Sequence, residues 1–248
     1  IVLNPEDDVV TLSSSGGRLA LTGGLSGLSA SQTLRIESNI VSAQGPTISL
    51  LGSNSIAGTV ELHSGNLFVT NNALGTAKLR VHGGTLHFAS TAVTAPIELH
   101  SDLVVAGKLD GYFGGDISSI SPNTGLVVRM DTSTTLRVAN SATYTGATVI
   151  DSGFLGPAPS ANAATLRLRE NGSILNTAQF DIRAGGTLAI ETVTTGITNR
   201  VGDTTPINLN GGNLSIEAVS AGAGLQHAAI GAADREHGAV EGERRDDD

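Results

Sequence analysis

The sequence of this 248-residue chain predicts an all-β fold in which short strands stack, coil on coil, as a right-handed parallel β-helix. Two-strand units with alternating apolar and polar residues recur along the chain. Glycine supplies 32 residues, whereas tryptophan and cysteine are absent. No window shows the i, i+3, i+4 apolar spacing of an amphipathic helix. Together, these observations are typical of short strands that are joined by tight corners.

The repeating unit consists of two short strands around a turn that contains glycine or another small residue. Each strand alternates apolar with polar residues, which predicts one buried and one wet face. The pattern occurs at residues 59–69, 77–88, 96–105, 179–190 and 206–216. Leu79 follows Leu62 by 17 residues and Leu99 follows Leu79 by 20. A period of roughly 20 residues suits one coil of a solenoid. Phe180 and Ile207 are farther apart, so the spacing loosens later in the chain.

Strands of three to five residues are not stable alone and are expected to pair with their equivalents one coil away, at about 4.8 Å. The aliphatic side chains then form interior columns, and each buried one contributes roughly 1.5–3 kcal/mol before entropy is subtracted. We expect Leu99 and Leu188 inside and Thr85 outside. Glycines are expected at corners that require positive φ. A period of about 20 residues predicts about ten or eleven coils over residues 1–217.

Residues 1–217 are predicted to form the β-helix domain, with pectin-lyase-like architecture. Residues 218–248 are rich in alanine and glycine and then in charge, which predicts a low-complexity, disordered tail. A β-sandwich and a propeller remain alternatives. The recurring glycine-turn-leucine units and the absence of tryptophan favour the β-helix over both. Because the chain begins with Ile1, we expect it to be a piece of a longer or processed protein.

Composition excludes several classes of function. The formal net charge of −9, with scattered bases, argues against a nucleic-acid partner. No apolar run approaches the roughly 18 residues of a membrane helix, so we expect no direct membrane insertion of this segment. The absence of cysteine excludes a disulfide scaffold, a thiolate metal site and thiol catalysis.

Residues 136–153 read as a strand, a Thr-Tyr-Thr-Gly turn and a Thr-x-Ile strand that ends at glycine. This segment resembles the autotransporter passenger-associated β-strand repeat. The positions that match the family are Tyr144, Thr145, Gly146, Thr148, Ile150 and Gly153. Residues 199–203 and 206–214 are similar to sequence that often follows such repeats. The likeness extends over roughly 136–216, about a third of the chain.

The resemblance implies an exported bacterial protein of the passenger type, secreted or displayed at the cell surface in association with the outer membrane. In that family the repeat is a structural stalk or adhesin segment and is not itself catalytic. The expected partners are therefore glycans or proteins of host or cell surfaces. No cofactor is expected, and no residue is assigned to a catalytic, cofactor-binding or metal site.

Histidines recur in the related units. His63, His82, His87 and His100 could form an exposed column that binds a metal or responds to pH, although solvent-facing ladder positions are the simpler interpretation. By spacing, His63 and His82 do not occupy quite equivalent positions. The triplet His100-Ser101-Asp102 contains the residue types of a catalytic triad, but neighbours along a strand point to opposite faces and cannot form the relay.

Carboxylates flank the glycine-rich segment 110–116. The two acids are Asp110 and Asp116, and the possible basic companions are Lys108 and Arg129. Paired carboxylates with a nearby base would suit a polysaccharide lyase or glycoside hydrolase, which is the enzymatic alternative. We expect instead an extruded turn that packs Tyr112 and Phe113 over a groove. A glycan-binding module is a further alternative, which the shortage of aromatic residues weakens.

Overall fold

The computed structural model describes residues 2–3, 8–39, 47–70, 72–88, 91–107, 109–130, 134–152, 164–191 and 199–217. The described residues contain 23 strands and no helix, and hence none that could span a membrane. The predicted tail at 218–248 lies outside them. All pairings between named strands are parallel, and the strands form three sheets of eight, nine and six members.

The first sheet contains, in order, β1 (Val9–Ser14), β3 (Thr33–Ser38), β5 (Thr59–Leu62), β7 (Lys78–Val81), β10 (Ile97–Leu99), β13 (Ile117–Ser119), β16 (Ser141–Ala142) and β19 (Ser173–Ile174). The second contains β2 (Leu19–Leu21), β4 (Ile48–Leu50), β6 (Asn66–Val69), β8 (Thr85–Phe88), β11 (Leu103–Gly107), β14 (Leu126–Met130), β17 (Thr148–Asp151), β20 (Phe180–Arg183) and β22 (Ile207–Asn210). The third contains β9 (Thr91–Val93), β12 (Gly111–Phe113), β15 (Thr134–Val138), β18 (Ala164–Leu168), β21 (Gly186–Glu191) and β23 (Asn213–Glu217).

The chain passes through the sheets in a repeating order, so each pass adds one strand to each sheet it visits. This arrangement is consistent with a parallel β-helix. Within the described residues, the nine strands of the second sheet mark nine passes, fewer than the ten or eleven predicted for residues 1–217. The reason is that several passes are longer than the period that the early units indicate. The passes from Thr33 to its partner Thr59 and from Thr148 to its partner Phe180 both exceed it.

The observed register corrects the predicted spacing of the early units. Leu62 pairs with Val81 rather than Leu79, and Leu99 also pairs with Val81. The expected equivalences were therefore displaced by two residues. Because side chains alternate with a period of two, that displacement leaves the buried face unchanged. The pairing of Phe180 with Ile207 is confirmed.

The interior consists of aliphatic columns along the stack. One column in the first sheet contains Leu34, Val60, Leu79, Ile97 and Ile117, all buried. Leu99 and Leu188 are fully buried, whereas Thr85 is half-buried, as the alternation predicted. The corner glycines Gly65 and Gly84 have φ of 80° and 84°, which confirms the expected need for positive φ there.

The segment around Tyr112 and Phe113 is a strand, β12, and not the extruded turn that we expected. Phe113 is fully buried and packs edge-on against Phe88, with ring centroids 5.2 Å apart. Gly111 makes room for this contact, because a Cβ there would lie 2.6 Å from the Phe88 ring. The Tyr112 hydroxyl donates to a Glu170 carboxylate oxygen at 3.0 Å. Alternation thus buries one aromatic residue and turns the other outward.

Candidate functional site

Outward-facing charges on the first sheet form a ladder of alternating sign. The register places Arg35, Glu61, Arg80 and Glu98 at equivalent positions of β3, β5, β7 and β10. Arg35 Nη2 donates to Glu61 Oε2 at 3.4 Å, and Arg80 Nε donates to Glu98 Oε1 at 3.0 Å. Parallel strands hold the rungs about 4.8 Å apart, so opposite charges on successive rungs attract. We call these four residues the charged ladder.

Three histidines stand beside the charged ladder, each directly after a strand of the first sheet. The backbone N–H groups of His63, His82 and His100 donate to Ile36, Leu62 and Val81, each on the preceding rung. The rings of His63 and His82 stack with centroids 4.5 Å apart, and those of His82 and His100 with centroids 4.3 Å apart. His63 and His82 are therefore equivalent, contrary to expectation. We call the three residues the histidine column.

His87 does not belong to the histidine column. It lies on β8 in the second sheet and is only 5% exposed, although alternation along β8 predicts an outward position. Its Nε2 atom is buried and has no hydrogen-bond partner. Burial lowers the pKa of His87 to about 4. The predicted four-residue column is therefore correct for three histidines and wrong for His87.

Two glutamates of the charged ladder hold histidines of the column. Glu61 Oε2 lies 3.0 Å from His63 Nε2, and Glu98 Oε1 lies 2.9 Å from His100 Nε2. Lys78 Nζ also donates to Glu98, at 2.9 Å. Burial alone would raise the pKa of Glu98, but hydrogen bonds from Lys78 and His100 and the charge of Arg80 lower it to about 2.

Sequence reasoning singled out the histidines but missed these carboxylates. The signal was present as Glu-x-His at residues 61–63 and again at 98–100. Residues two apart on a strand share a face, so this spacing brings carboxylate and imidazole together. His82 follows Arg80 in the same way, which places a cation between the two Glu-x-His pairs.

The residues of the enzymatic alternative do not come together in one cluster. Asp110 Oδ1 accepts a hydrogen bond from Thr135 N–H at 2.8 Å, and Asp116 is exposed. Arg129 lies on β14 in the second sheet. Among the described residues, no hydrogen bond or ion pair joins these three, and Lys108 lies outside the described part of the chain.

The triad-like triplet has different partners on its two ends. His100 contacts Glu98, whereas Asp102 Oδ1 accepts from Gly125 N–H at 2.8 Å. The two side chains are therefore engaged separately and form no relay with each other, as expected.

Several of the residues that carry the family resemblance form a buried corner, whereas Thr145 is exposed. Tyr144 is fully buried, and its hydroxyl lies 2.7 Å from Thr148 Oγ1, which in turn lies 3.0 Å from Thr177 Oγ1. Thr177 Oγ1 donates to the Gly146 carbonyl at 2.7 Å. A Cβ at Gly146 would clash with the Asn123 carbonyl oxygen. Of the other matched residues, Ile150 is buried, and Gly153 lies outside the described residues.

Arg200, in the segment that follows the repeat, has a structural position. It is 1% exposed, and its guanidinium donates to the carbonyl oxygens of Gly172 at 2.8 Å and Glu170 at 2.9 Å. Burial lowers the pKa of Arg200, and the charge of Glu191 raises it in part. The buried cation thus closes a corner by hydrogen-bonding to backbone carbonyls.

The chain matches no protein-family model, and comparison with curated proteins and with solved structures gives no significant match.

Proposed function

We propose that this chain is a non-enzymatic, structural or adhesive β-solenoid segment of an exported bacterial cell-surface protein of the autotransporter type. In this proposal the strands wind as a right-handed β-helix with pectin-lyase-like architecture, and the segment stands outside the cell. Glycans or proteins of host or cell surfaces contact its outer faces.

One observation carries the proposal. Residues 134–152, which contain most of the segment that resembles the passenger-associated repeat, contribute one strand to each of the three sheets: β15, β16 and β17. Tyr144 and Thr148 of that segment are buried where its corner meets the next pass at Thr177. The repeat-like sequence therefore makes one complete pass of the stack, which is the part that a stalk repeat has to play.

The outer surface also suits a stalk. Only 15% of the residues are charged, and the charges of the first sheet pair with one another along the charged ladder. A surface of paired charges and small polar side chains stays hydrated without attracting nucleic acid. Each pass lengthens the stack, so a segment of this kind can hold its far end away from the point at which the protein is attached.

Surface labelling tests the location. Bacteria that express the parent gene are stained, intact and unpermeabilised, with an antibody raised against the purified chain, and then treated with an external protease. The proposal predicts staining of intact cells and its loss after protease treatment. Staining that appears only after permeabilisation would contradict it. A periplasmic protein that is tracked in the same cells serves as the control for envelope integrity.

Adhesion is tested by deletion. An in-frame deletion of the codons for this segment is compared with the intact gene at equal surface expression of the parent protein. The proposal predicts reduced attachment of the cells to surfaces coated with glycans or with host surface proteins. Unchanged attachment to every coating, at the same cell-to-surface distance, would overturn both the adhesive and the stalk role.

A further inference from the structure

We propose that Glu61, His63 and His82 form a binding site for a divalent transition-metal ion of the zinc class. The donor atoms are one carboxylate oxygen and two imidazole nitrogens, and they all lie within 4.8 Å of one another. The proposal concerns the isolated chain and is independent of where the protein is located.

The strands bring the three side chains together. Glu61 and His63 share the outer face of the same pass because they are two residues apart. His82 is the equivalent of His63 one rung on, with its ring stacked at 4.5 Å. Glu61 Oε2 lies 3.0 Å from His63 Nε2, and Glu61 Oε1 lies 3.9 Å from His82 Nε2. The carboxylate therefore presents one oxygen to each imidazole.

His82 provides the observation that points to a ligand. Its Nε2 atom is buried from water and has no hydrogen-bond partner, and the 3.9 Å separation from Glu61 is too long for a hydrogen bond. His63 and His100 both have a carboxylate at hydrogen-bond distance. His82, the middle imidazole of the histidine column, thus has a ring nitrogen that faces the Glu61 carboxylate and has no partner. Leaving a buried polar atom unpaired costs free energy unless a ligand binds there.

The donor set selects the ion. Two imidazoles and one carboxylate suit Zn²⁺, Ni²⁺ or Cu²⁺, whereas Mg²⁺ and Ca²⁺ prefer oxygen ligands. Zinc binds nitrogen at about 2.0–2.1 Å, so two ligands of one tetrahedral ion lie about 3.3 Å apart. The separation of 3.9 Å between His82 Nε2 and Glu61 has to shrink only slightly to reach this value. All three residues are half-buried, so water can fill the remaining coordination position.

Neighbouring cations limit the affinity. Arg35 Nη2 lies 3.4 Å and Arg80 Nη1 lies 3.9 Å from the Glu61 carboxylate, and both guanidiniums repel a dication. The structure therefore predicts weaker binding than in a closed structural zinc site. Removing the charge of Arg35 should tighten metal binding, because Arg35 competes directly for the oxygen that faces His63.

His100 offers a matched control within the same column. It stacks on His82 and is similarly exposed, but its Nε2 contacts Glu98, which also accepts hydrogen bonds from Lys78 and Arg80. A metal bound at Glu61 does not require it. His100→Gln therefore changes the same kind of residue at the same kind of position without removing a proposed ligand.

The test is isothermal titration of the full chain, purified without an oligohistidine tag, with ZnCl₂ at neutral pH. We expect Zn²⁺ to bind and Mg²⁺ and Ca²⁺ not to bind. His63→Gln and His82→Gln should each weaken the Zn²⁺ affinity at least about tenfold, with His100→Gln within about twofold of wild type. Far-UV circular dichroism checks that each variant is folded. His227 and His237 lie outside the described residues, so the variants, not the stoichiometry, locate the site.

Three results with the wild-type chain and the histidine variants would overturn the proposal, and a fourth concerns Arg35. The first is a wild-type chain that binds no Zn²⁺. The second is binding that survives both His63→Gln and His82→Gln, which would place the metal elsewhere. The third is a loss in His100→Gln as large as in His82→Gln, since it would show that the stack rather than the three ligands matters. Arg35→Gln should tighten Zn²⁺ binding, and unchanged or weaker binding would contradict the placement of the ion at Glu61.

Discussion

The buried hydroxyl chain at the repeat-like corner predicts a specific non-additive effect on stability. Each hydroxyl has one proton, and Thr177 donates its proton to the Gly146 carbonyl. Thr148 then donates to Thr177, and Tyr144 donates to Thr148, over 3.0 Å and 2.7 Å. All three side chains are buried, so none can exchange its partner for water. The three bonds therefore depend on one another in a fixed order.

The first and the middle hydroxyl of this hydrogen-bonded series, Tyr144 and Thr148, are expected to respond differently to substitution. Tyr144→Phe removes only the first donor and should cost about 1 kcal/mol of unfolding free energy, the usual net value of a neutral hydrogen bond. Thr148→Val keeps the shape of the side chain but leaves the Tyr144 hydroxyl buried without an acceptor. That loss should reach about 2–3 kcal/mol. The double variant has no orphaned hydroxyl and should lose no more than Thr148→Val alone.

The assay is urea unfolding followed by far-UV circular dichroism, because the chain contains no tryptophan and only two tyrosines. The four proteins of the cycle give a coupling free energy, which we expect to be at least about 1 kcal/mol. Additive losses from Tyr144→Phe and Thr148→Val would refute the hydroxyl chain. Equal losses from the two single variants would refute the order of donors.

Three further predictions concern burial. Leu99→Asp places an unpaired charge in the core and should abolish the cooperative unfolding transition. Thr85→Asp changes a half-buried position and should lower the urea midpoint only slightly. Equal effects of the two variants would contradict the assignment of buried and outer faces. His87 stays neutral in the fold to about pH 4 but is protonated below about pH 6.5 when unfolded, so stability should fall as pH drops through this window. The free energy of unfolding in urea is measured at pH 7.5 and at pH 4.5, and His87→Leu should make the difference between the two values smaller by about 2–3 kcal/mol. An unchanged difference would exclude this role of His87. Arg200→Met should cost about 2–4 kcal/mol in the same assay because two corner carbonyls lose their donor, and a loss below about 0.5 kcal/mol would show that water replaces it.

The sequence predicts the strands and the buried face well because both depend on local alternation. The units at 59–69 and 77–88 contain the observed β5, β6, β7 and β8. The sequence predicts the register of strand pairing less well, because register depends on which residues of successive strands face each other and not on which residues are most alike. Leu62 therefore pairs with Val81 and not with the more similar Leu79. Strand β12 of the third sheet was not predicted either. Its three residues, Gly-Tyr-Phe, resemble part of a loop when the strands on either side of it are not known.

The candidate site was predictable only in part. Alternation indicates that His63, His82 and His100 point outward, but not that their rings stack. Stacking depends on the register, and so does the approach of Glu61 to His82 on the adjacent rung. For His87 the prediction from alternation fails, since its position on β8 predicts an exposed side chain and the structure buries it. Long-range packing thus decides both which histidines meet and which one is covered.

Distances along the stack test the central claim, that successive passes lie on one axis, most directly. The chain has no cysteine, so paired spin labels can be attached to two double variants, Thr11→Cys/Ser118→Cys and Ala20→Cys/Asn210→Cys. Thr11 and Ser118 are five rung intervals apart in the first sheet, or about 24 Å. Ala20 and Asn210 lie on the first and last of nine strands in the second sheet, or about 38 Å apart. Pulsed electron–electron double resonance should give the second pair the longer distance by about 14 Å, and equal distances, or a shorter second one, would contradict the stack.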